Sequence, residues 1–299
     1  MDSILTCPAC DGTRFRCRVL TRRISIEECL TCGLLISDIS PPSNRRAEFA
    51  RINVTAYHGS IGVVRRRQAR HILESVAKQN IAGREWLDVG CGFGYLLHEA
   101  DKAGYNIFGV EPDDTAYLEV AQSFGTERVH HGLMTNTVRP DESADVISTL
   151  DVLEHIEAGE LCGFAQLIRC KLKHQGLWAI KVPSSEGLYF IAAHKLQSIA
   201  AAIVSGAIKR LWQSEYEFPH RVYFNRHSLE LLLNKNGFKV IDTEYIEDVP
   251  SGTVLNRLLM DATIPEWQAY LLAPALYGIK AIERWRGKSD ALLVIAQRR

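Results

Sequence analysis

Long apolar runs and an excess of one charge are both absent from this sequence. No stretch reaches the ~18 consecutive apolar residues that a membrane-spanning helix requires. Lysine and arginine together number 35, as do aspartate and glutamate, so the net charge gives no general attraction to nucleic acid or anionic membrane. Internal repeats and low-complexity tracts are also missing, which excludes the fibrous and disordered classes of protein.

What the chain does contain is typical of a globular protein. Of its 299 residues, 46% are hydrophobic and 23% are charged, which provides enough apolar surface for one large domain with appendages. A cysteine pair occupies the N-terminal stretch where a signal peptide would have its apolar region. We therefore expect a cytoplasmic protein whose eight cysteines stay reduced.

Four of the cysteines form two closely spaced pairs. Cys7 and Cys10 enclose Pro-Ala, Cys29 and Cys32 enclose Leu-Thr, and 18 residues separate the pairs. This spacing lies within the range of four-cysteine zinc sites, in which each pair turns tightly and directs both thiolates at one ion. Four thiolates leave the ion no open position, so the predicted zinc is structural. A pair of redox thiols is the alternative interpretation.

The sequence predicts three regions along the chain. Residues 1–40 are predicted to form a zinc ribbon, and a break at Pro41-Pro42-Ser43-Asn44 opens a linker with N-terminal helices over residues 41–80. Within that linker, apolar residues at near-helical spacing predict a helix over residues 61–80. Residues 81–299 then form the large domain.

From Trp86 onward, short apolar runs alternate with helical segments. This alternation predicts βαβ units and a mostly parallel sheet. The predicted strands are Glu85–Val89, Asn106–Val110, Arg128–His130, Ala144–Leu150, Leu177–Val182, Phe238–Tyr245 and Ala291–Ala296. Two amphipathic helical segments, residues 184–220 and 254–287, interrupt the alternation as insertions.

The first of these strands leads into a glycine loop, Leu87-Asp88-Val89-Gly90-Cys91-Gly92-Phe93-Gly94. Glycines let a strand turn sharply into a helix and let backbone N–H groups approach a ligand. Glu111 ends the next strand, where an acid can accept hydrogen bonds from both hydroxyls of a ribose. Nicotinamide enzymes share this pattern with GxGxxG spacing, but here the spacing is GxGxG and Asp88 precedes it, which suits a cationic ligand. A turn with only a structural role is the other alternative.

These residues resemble the motifs of the class I S-adenosylmethionine-dependent methyltransferases. The resemblance continues through Gly109-Val110-Glu111-Pro112, Asp151-Val152-Leu153-Glu154-His155 and His220-Arg221-Val222-Tyr223-Phe224 with Gly237-Phe238, and it covers roughly residues 80–250. It implies an α/β fold with a Rossmann-like, doubly wound sheet of seven strands, of which the last, Ala291–Ala296, is antiparallel. Helical lid insertions and the small N-terminal zinc ribbon would complete the fold.

The resemblance also implies which residues hold the cofactor. Asp88 through Gly94 would hold the methionine part and the ribose of S-adenosylmethionine, with Cys91 contributing its backbone. Glu111 would accept hydrogen bonds from the ribose hydroxyls, and Pro112 would pack near the adenine. The full implied set is Asp88, Gly90, Cys91, Gly92, Gly94, Glu111, Pro112, Leu133, Met134, Asp151 and Val152. Where this family often has an aspartate against the adenine amine, this chain has Gly132-Leu133-Met134-Thr135, which leaves that contact open.

Asp151, Glu154 and His155 follow the fourth predicted strand, at the edge where open α/β sheets bind ligands. In a helical turn these side chains would share one face. His155 could then act as a general base toward the methyl acceptor, or all three could bind a second divalent cation that lowers the pKa of the acceptor. The cation rests on a resemblance to ubiquinone-pathway O-methyltransferases, although the first acid here is Asp. His220 is a second candidate base, and structural roles for Glu154 and both histidines are the alternative.

The two insertions favour a small-molecule acceptor, because helices added to this fold can close over such a substrate and exclude water. The aromatic residues available for this lid are Tyr189, Phe190, Trp212, Tyr216 and Phe218. We expect O-methylation of a sugar, a natural product or a lipid-linked intermediate.

A zinc-ribbon RNA or protein methyltransferase is the main alternative, because the arginines within residues 65–70 could meet phosphates. The balanced charge and the lack of an Asn/Asp-Pro-Pro-aromatic pattern after the fourth strand argue against nucleic acid. A catalytically silent cofactor-binding subunit is a third hypothesis. Leu255–Met260 and Tyr270–Ala275 are apolar enough for peripheral membrane contact or for packing in a homodimer.

Overall fold

The computed structural model describes residues 6–21, 24–39, 54–59, 61–197, 201–214, 216–260 and 265–299. The strands are β1 (Phe15–Thr21), β2 (Ile24–Cys29), β3 (Leu35–Ser37), β4 (Glu85–Val89), β5 (Asn106–Glu111), β6 (Val129–His131), β7 (Ala144–Leu150), β8 (Leu172–Pro183), β9 (Val222–Tyr223), β10 (Phe238–Ile246) and β11 (Ala291–Arg298). The helices are α1 (Val54–Gly59), α2 (Ile61–Ala77), α3 (Tyr95–Lys102), α4 (Asp114–Phe124), α5 (Leu161–Lys171), α6 (Leu188–Leu196), α7 (Ala201–Leu211), α8 (Arg226–Lys235), α9 (Val254–Met260) and α10 (Glu266–Arg286). The predicted break at residues 41–44 lies outside the described residues.

Seven strands form the central sheet, in the order β10-β11-β8-β7-β4-β5-β6. Strands β4 to β8 run parallel to one another, whereas β11 is antiparallel to both of its neighbours, β8 and β10. The prediction of a seven-stranded sheet with an antiparallel last strand is therefore confirmed. Strands β7 and β11 are buried along most of their length, as expected for central strands that are covered on both faces.

Two elements extend beyond their predicted bounds at polar ends. The fifth strand of the sheet is predicted at Leu177–Val182, but β8 begins at Leu172 and the preceding helix ends at Lys171. The last strand likewise continues to Arg298. Backbone hydrogen bonds make these pairings, so polar residues can take part in them without leaving any apolar pattern in the sequence.

A second sheet forms the N-terminal module. Strands β1, β2 and β3 pair antiparallel, and the two-residue strand β9 pairs with β3, which gives the order β1-β2-β3-β9. Leu34 and Ile36 of this module are buried in the same apolar cluster as Val222 and Phe224 of the large domain. The module therefore shares a hydrophobic core with the large domain, since so short a segment rarely builds a sufficient core alone.

Both insertions are helical, as the sequence predicts. The first contains α6 and α7, and the second contains α9 and the 21-residue helix α10. Ala269, Ala273 and Glu283 mark the buried face of α10. Within the described residues, none of the helices combines the length and the apolar character that crossing a membrane demands.

Candidate active site

The glycine loop connects β4 to α3, and its backbone explains its composition. Gly90 has a φ of 72°, and a Cβ on it would lie 2.6 Å from Val152 Cγ2, so both the conformation and the close approach require glycine. Gly92 has a φ of 53° and faces open space, with no heavy atom within 4 Å of a Cβ built on it. The loop therefore presents backbone to a cavity that a ligand can enter.

Two buried carboxyl groups, those of Asp88 and Glu111, lie beside this loop. Asp88 Oδ1 accepts a hydrogen bond of 2.6 Å from the Ser148 hydroxyl. Glu111 accepts two hydrogen bonds, from the Gly92 N–H at 2.6 Å and from the Asp113 N–H at 2.8 Å. Burial raises the pKa of each carboxyl to about 7. A ligand that brings hydrogen-bond donors or a cation would therefore favour the ionised forms.

A cavity of about 2130 Å³ is lined by all but one of the residues that the sequence assigns to the cofactor. The exception is Gly94, which precedes α3 with a φ of 74° and whose Cβ would lie 2.7 Å from Val120 Cγ2, so it serves close packing against α4. The thiol of Cys91 is buried in an apolar cluster beneath the loop. Leu133 is exposed at the rim of the cavity, and Met134 is buried.

Asp151 follows β7 in the left-handed region, with a φ of 57°, which is uncommon for a residue with a Cβ. Lys181 Nζ contacts its two carboxylate oxygens at 2.6 and 2.8 Å, and Arg65 Nη1 contacts one of them at 2.6 Å. Lys181 is 1% exposed and also donates to Asp248 Oδ1 at 2.7 Å. These ion pairs hold Asp151 in its strained conformation.

A different set of three side chains converges in the same cavity. One ligand atom each from Glu154, His155 and His220 lies within 4.8 Å of the other two. The first two belong to a short 3-10 turn after β7, and His220 stands just before β9, at the end of the first insertion. The sequence groups Asp151 with Glu154 and His155, but Asp151 precedes this turn in a left-handed conformation and pairs with Lys181, so His220 takes its place.

The partners of Nδ1 favour the same tautomer for both histidines. His155 Nδ1 lies 3.2 Å from the Pro219 carbonyl oxygen, which can only accept, so this nitrogen carries the proton. The Tyr223 hydroxyl donates to the Leu211 carbonyl at 2.7 Å and therefore accepts from His220 Nδ1, 3.2 Å away. In both rings Nε2 is left with its lone pair, and the ring centroids are 5.0 Å apart.

Burial sets the charge of this cluster. It lowers the pKa of His155 and lowers that of His220 well below its usual value, so both imidazoles are neutral near pH 7. It raises the pKa of Glu154 well above its usual range, and the charge of Asp151 adds to this shift. Neither carboxyl oxygen of Glu154 has a hydrogen-bond partner among the described residues. Such an arrangement can remove a proton from a bound acceptor or hold a cation.

Side chains of both insertions line the outer part of the cavity. The aromatic ones are Tyr189, Phe190, Tyr216 and Phe218, and the aliphatic ones of α10 include Leu272, Leu276 and Ile279. Trp212 is predicted to join this lining but is fully buried, with its ring centroid 4.9 Å from that of Tyr223. Ile208, four residues earlier, is also fully buried, so this face of the first insertion points into the core.

The sequence reasoning assigns no role in this site to Arg65, Tyr223 and Asp248, which line the cavity. It also misses the buried Lys181, which pairs with Asp151 and Asp248. Lys181 is the one residue from which these ion pairs could have been predicted, because a lysine within an apolar buried strand requires a charged partner. Arg65 belongs to an arginine-rich helix in which it cannot be told from its solvated neighbours. Asp248 follows β10 in a stretch that no motif distinguishes.

The four paired cysteines converge in the N-terminal module. Cys7 Sγ lies 3.6 Å from Cys32 Sγ, Cys10 Sγ lies 3.6 Å from Cys29 Sγ, and all four sulfur atoms lie within 4.8 Å of one another. Each pair forms a tight turn, closed by N–H donation from Asp11 to the Cys7 carbonyl and from Gly33 to the Cys29 carbonyl. This convergence of four thiols matches the donor set of a four-cysteine metal site.

Comparison with known proteins identifies the family. A family model described as a methyltransferase domain matches residues 64–243, more than half of the chain. A ubiquinone biosynthesis O-methyltransferase of Rhodopseudomonas palustris is 25% identical over 224 residues, which cover 73% of this chain and 79% of that protein. A "Probable S-adenosylmethionine-dependent methyltransferase" of Mycolicibacterium smegmatis is 29% identical over 75 residues, 25% of this chain and 29% of that one. A SAM dependent methyltransferase from Archaeoglobus fulgidus shares the fold, with a TM-score of 0.51, 19% identity and coverage of 81% of this chain and 96% of that one.

The matched region contains most of the features described above. It includes the glycine loop after β4, the buried Glu111 at the end of β5 and the turn with Glu154 and His155 after β7, all on one cavity. The fold around them is shared with the solved methyltransferase from Archaeoglobus fulgidus. This chain therefore belongs to the methyltransferase domain family and is an S-adenosylmethionine-dependent methyltransferase.

Proposed function

We propose that this enzyme transfers the methyl group of S-adenosylmethionine to an oxygen atom of a small-molecule acceptor, with His155 as the general base. The observation that carries the proposal is the pair of imidazoles on the cavity, with ring centroids 5.0 Å apart and each Nδ1 held by a hydrogen-bond partner. A hydroxyl must lose its proton as it attacks the sulfonium methyl, whereas an amine already has a free electron pair. His155 is partly exposed to the cavity and His220 is buried behind it, which favours His155 as the base.

In this proposal the cofactor lies over the glycine loop. Its ribose hydroxyls donate to Glu111, and its cationic methionine part lies near Asp88. The remaining cofactor contacts come from Gly90, Cys91, Gly92, Pro112, Leu133, Met134 and Val152, all of which line the cavity. Asp151, held by Lys181, borders the place where cofactor and acceptor meet. Alignment of the acceptor oxygen with the methyl group is then the main contribution of the protein to the rate.

The cavity walls favour an acceptor with an aromatic or isoprenoid body over a free sugar. Tyr189, Phe218 and Leu276 line these walls. Their largely apolar surfaces provide few hydrogen-bond partners for a molecule covered with hydroxyls. The relative from Rhodopseudomonas palustris is named for ubiquinone biosynthesis, which agrees with a phenolic, lipid-linked acceptor.

A panel of acceptors tests the proposal. The protein is incubated with S-adenosylmethionine and with phenols carrying or lacking an isoprenoid tail, nucleotide-linked sugars, amines and RNA, and the products are identified by mass spectrometry. We expect a methyl ether of a tailed phenol as the main product. A methylated amine, a methylated RNA base or a methylated protein side chain as the main product would contradict the proposal and favour the zinc-ribbon RNA or protein methyltransferase.

Structural zinc in the four-cysteine module is part of the same proposal. Sulfur atoms about 2.3 Å from a tetrahedral zinc ion are about 3.8 Å apart. The two shortest sulfur–sulfur distances, both 3.6 Å, are close to that value, so Cys7, Cys10, Cys29 and Cys32 fit the ion. We further propose the cytoplasm as the compartment, where these thiols stay reduced, and residues 1–40 as the module that the ion stabilises.

A second divalent cation is the alternative to a histidine base. The unpartnered carboxyl of Glu154 and the two Nε2 atoms of His155 and His220 form a suitable donor set. A cation held there would lower the pKa of the acceptor hydroxyl. The two alternatives differ in metal dependence. A chelator too weak to remove zinc from the four thiols should leave a histidine base active, but it should inactivate an enzyme that needs the second cation.

The outward face of α10 provides a surface for an anionic lipid bilayer. Trp267, Tyr270, Leu271, Ile282 and Trp285 are between 50% and 87% exposed. From Trp267 to Ile282 the only charged residue is a buried lysine. Three basic residues follow, Arg284, Arg286 and Lys288, of which the first pairs with Glu247 and the last with Glu186. Tryptophan and tyrosine favour the bilayer interface, and basic residues attract anionic headgroups. Since the inner face of α10 lines the cavity, an acceptor dissolved in lipid would enter beside this helix.

Flotation with liposomes tests this surface. We expect the wild-type protein to float with vesicles that contain phosphatidylglycerol, and we expect Trp267→Ser combined with Trp285→Ser to reduce the bound fraction at least fivefold, because the two indoles supply the largest exposed apolar area. Leu118→Ser, a change at another exposed apolar residue on α4, is the matched control and should float like wild type. Unchanged flotation of the double variant, or a homodimer that the double variant dissociates, would contradict the assignment to lipid.

A further inference from the structure

The segment from Pro219 to Tyr223 carries much of the proposed acceptor chemistry. The Pro219 carbonyl accepts from His155 Nδ1, and His220 is the second imidazole. The Arg221 N–H donates to the Glu154 carbonyl at 2.6 Å, which ties the segment to the turn that carries the base. The contacts that hold this segment therefore determine the positions of both imidazoles.

The sheet partner of this segment is the N-terminal module and not the central sheet. Strand β9, two residues long, pairs antiparallel with β3 over both of its residues. Ser37, at the end of β3, extends the pairing, since its N–H donates to the Arg221 carbonyl at 2.8 Å. Its hydroxyl donates to the His220 carbonyl at 2.9 Å. The module thus makes a direct hydrogen bond to the backbone of a proposed active-site histidine.

Side chains on both faces of this pairing are buried against the module. Ile36 and Val222 lie together in the main apolar cluster. Leu35 and Tyr223 lie together in a second cluster, on the opposite face. The hydroxyl of this tyrosine accepts from His220 Nδ1, so the module packs directly against the group that sets the proton position on His220. Both the backbone and the ring of His220 therefore depend on β3.

The thiol cluster is linked to the same place. Cys32 lies three residues before β3, and its carbonyl accepts from Asn225 Nδ2 at 2.9 Å. Asn225 lies two residues after the segment and caps α8, where its Oδ1 accepts from the Ser228 N–H at 2.8 Å. The metal proposed for the four thiols would hold the turns that contain them, because structural zinc contributes directly to the folding of small modules. Loss of the metal would therefore disturb β3 before it disturbs any strand of the central sheet.

We propose that the four-cysteine module is a positioning element of the acceptor site: the metal fixes β3, β3 fixes β9, and β9 holds Pro219 and His220 against His155. The inference rests on the proposed function for the role of the histidines, and on the contacts above for the rest. It assigns the module to the acceptor half of the cavity. The cofactor half, built on the glycine loop and Glu111, contacts β4 and β5 and needs no help from the module.

Hydrogen exchange of the full-length protein tests this inference without an acceptor. Wild type, Cys29→Ser and Ser37→Ala are compared by mass spectrometry, with zinc content and S-adenosylhomocysteine affinity measured on the same samples. For Cys29→Ser, we expect exchange of residues 219–225 to become at least tenfold faster, with exchange of residues 88–94 unchanged and affinity within twofold of wild type. Cys17→Ser, an exposed cysteine of β1 outside the thiol cluster, is the matched control and should behave like wild type.

Ser37→Ala separates positioning from folding, because it removes one hydrogen bond and leaves all four thiols in place. We expect it to keep its zinc, to speed exchange of residues 219–225 about threefold and to lower kcat without changing KM for S-adenosylmethionine. Unchanged exchange of residues 219–225 in a zinc-free Cys29→Ser protein would overturn the inference. So would equally faster exchange in the glycine loop. If the exchange pattern is as expected while His155→Ala keeps full turnover, the proposed base is wrong and the positioning role stands.

Discussion

Replacing His155 by alanine is expected to lower kcat by about 100- to 10,000-fold, the range that a positioned general base contributes. The Pro219 carbonyl holds the proton on Nδ1, which leaves Nε2 free to take a proton from the acceptor hydroxyl. The Pro219 carbonyl, which accepts from Nδ1, would then stabilise the imidazolium. KM for S-adenosylmethionine should stay unchanged, because His155 does not contact the glycine loop. Initial rates with the acceptor found in the panel measure this effect.

The pH profile identifies the base by a second route. Burial lowers the pKa of His155 from its usual 6.5, and the neutral form is the active one. The value of kcat should therefore fall as the pH falls through this lowered pKa, with the midpoint of the acid limb below 6.5, and the alanine variant should lack that limb. His220→Ala should cost about tenfold, since the base remains, and His174→Ala, an exposed histidine on β8, should cost nothing. A greater loss for His220→Ala than for His155→Ala would reverse the assignment.

The sheet and the cofactor edge could be predicted because each depends on residues that are neighbours in sequence. The glycine loop can be recognised in the sequence because Gly90 and Gly92 adopt conformations that favour glycine. Glu111 can be recognised because it ends the next strand. The alternation of apolar runs and helices predicts that β4 to β8 run parallel to one another. The antiparallel direction of the last strand is implied by the resemblance to the class I methyltransferases, and its pairing with β8 and β10 confirms it.

The half of the cavity proposed to bind the acceptor could not be predicted in the same way, because residues that are far apart in the sequence form it. Asp151, Glu154 and His155 share one helical face only if the chain is helical there, and the left-handed conformation of Asp151 breaks that face. Its partner Lys181 is 30 residues away in sequence, and His220 reaches the cluster only after the first insertion has folded. The pairing of β9 with β3 joins segments that lie more than 180 residues apart.

Replacing Glu111 by glutamine is expected to weaken S-adenosylhomocysteine binding at pH 8 by about 100-fold. The carboxylate would accept two charge-assisted hydrogen bonds from the ribose hydroxyls, each worth ~1.5–3 kcal/mol. The amide keeps the shape of the side chain and one acceptor oxygen for the Gly92 N–H, but its NH2 group then faces the Asp113 N–H, and this loss adds to the weaker binding. Titration calorimetry measures the affinity, and Glu127→Gln, a change at an exposed acid before β6, is the matched control.

The same carboxyl should make cofactor binding depend on pH. In the free protein the pKa of Glu111 and that of Asp88 are each raised to about 7 by burial, whereas the bound ligand favours both ionised forms. Binding below pH 7 must therefore release protons, and affinity falls as the pH falls. Each carboxyl contributes about tenfold between pH 8 and pH 6, so wild type should lose about 100-fold and Glu111→Gln about tenfold. An equal pH dependence in the two proteins would mean that Glu111 does not hold the ribose.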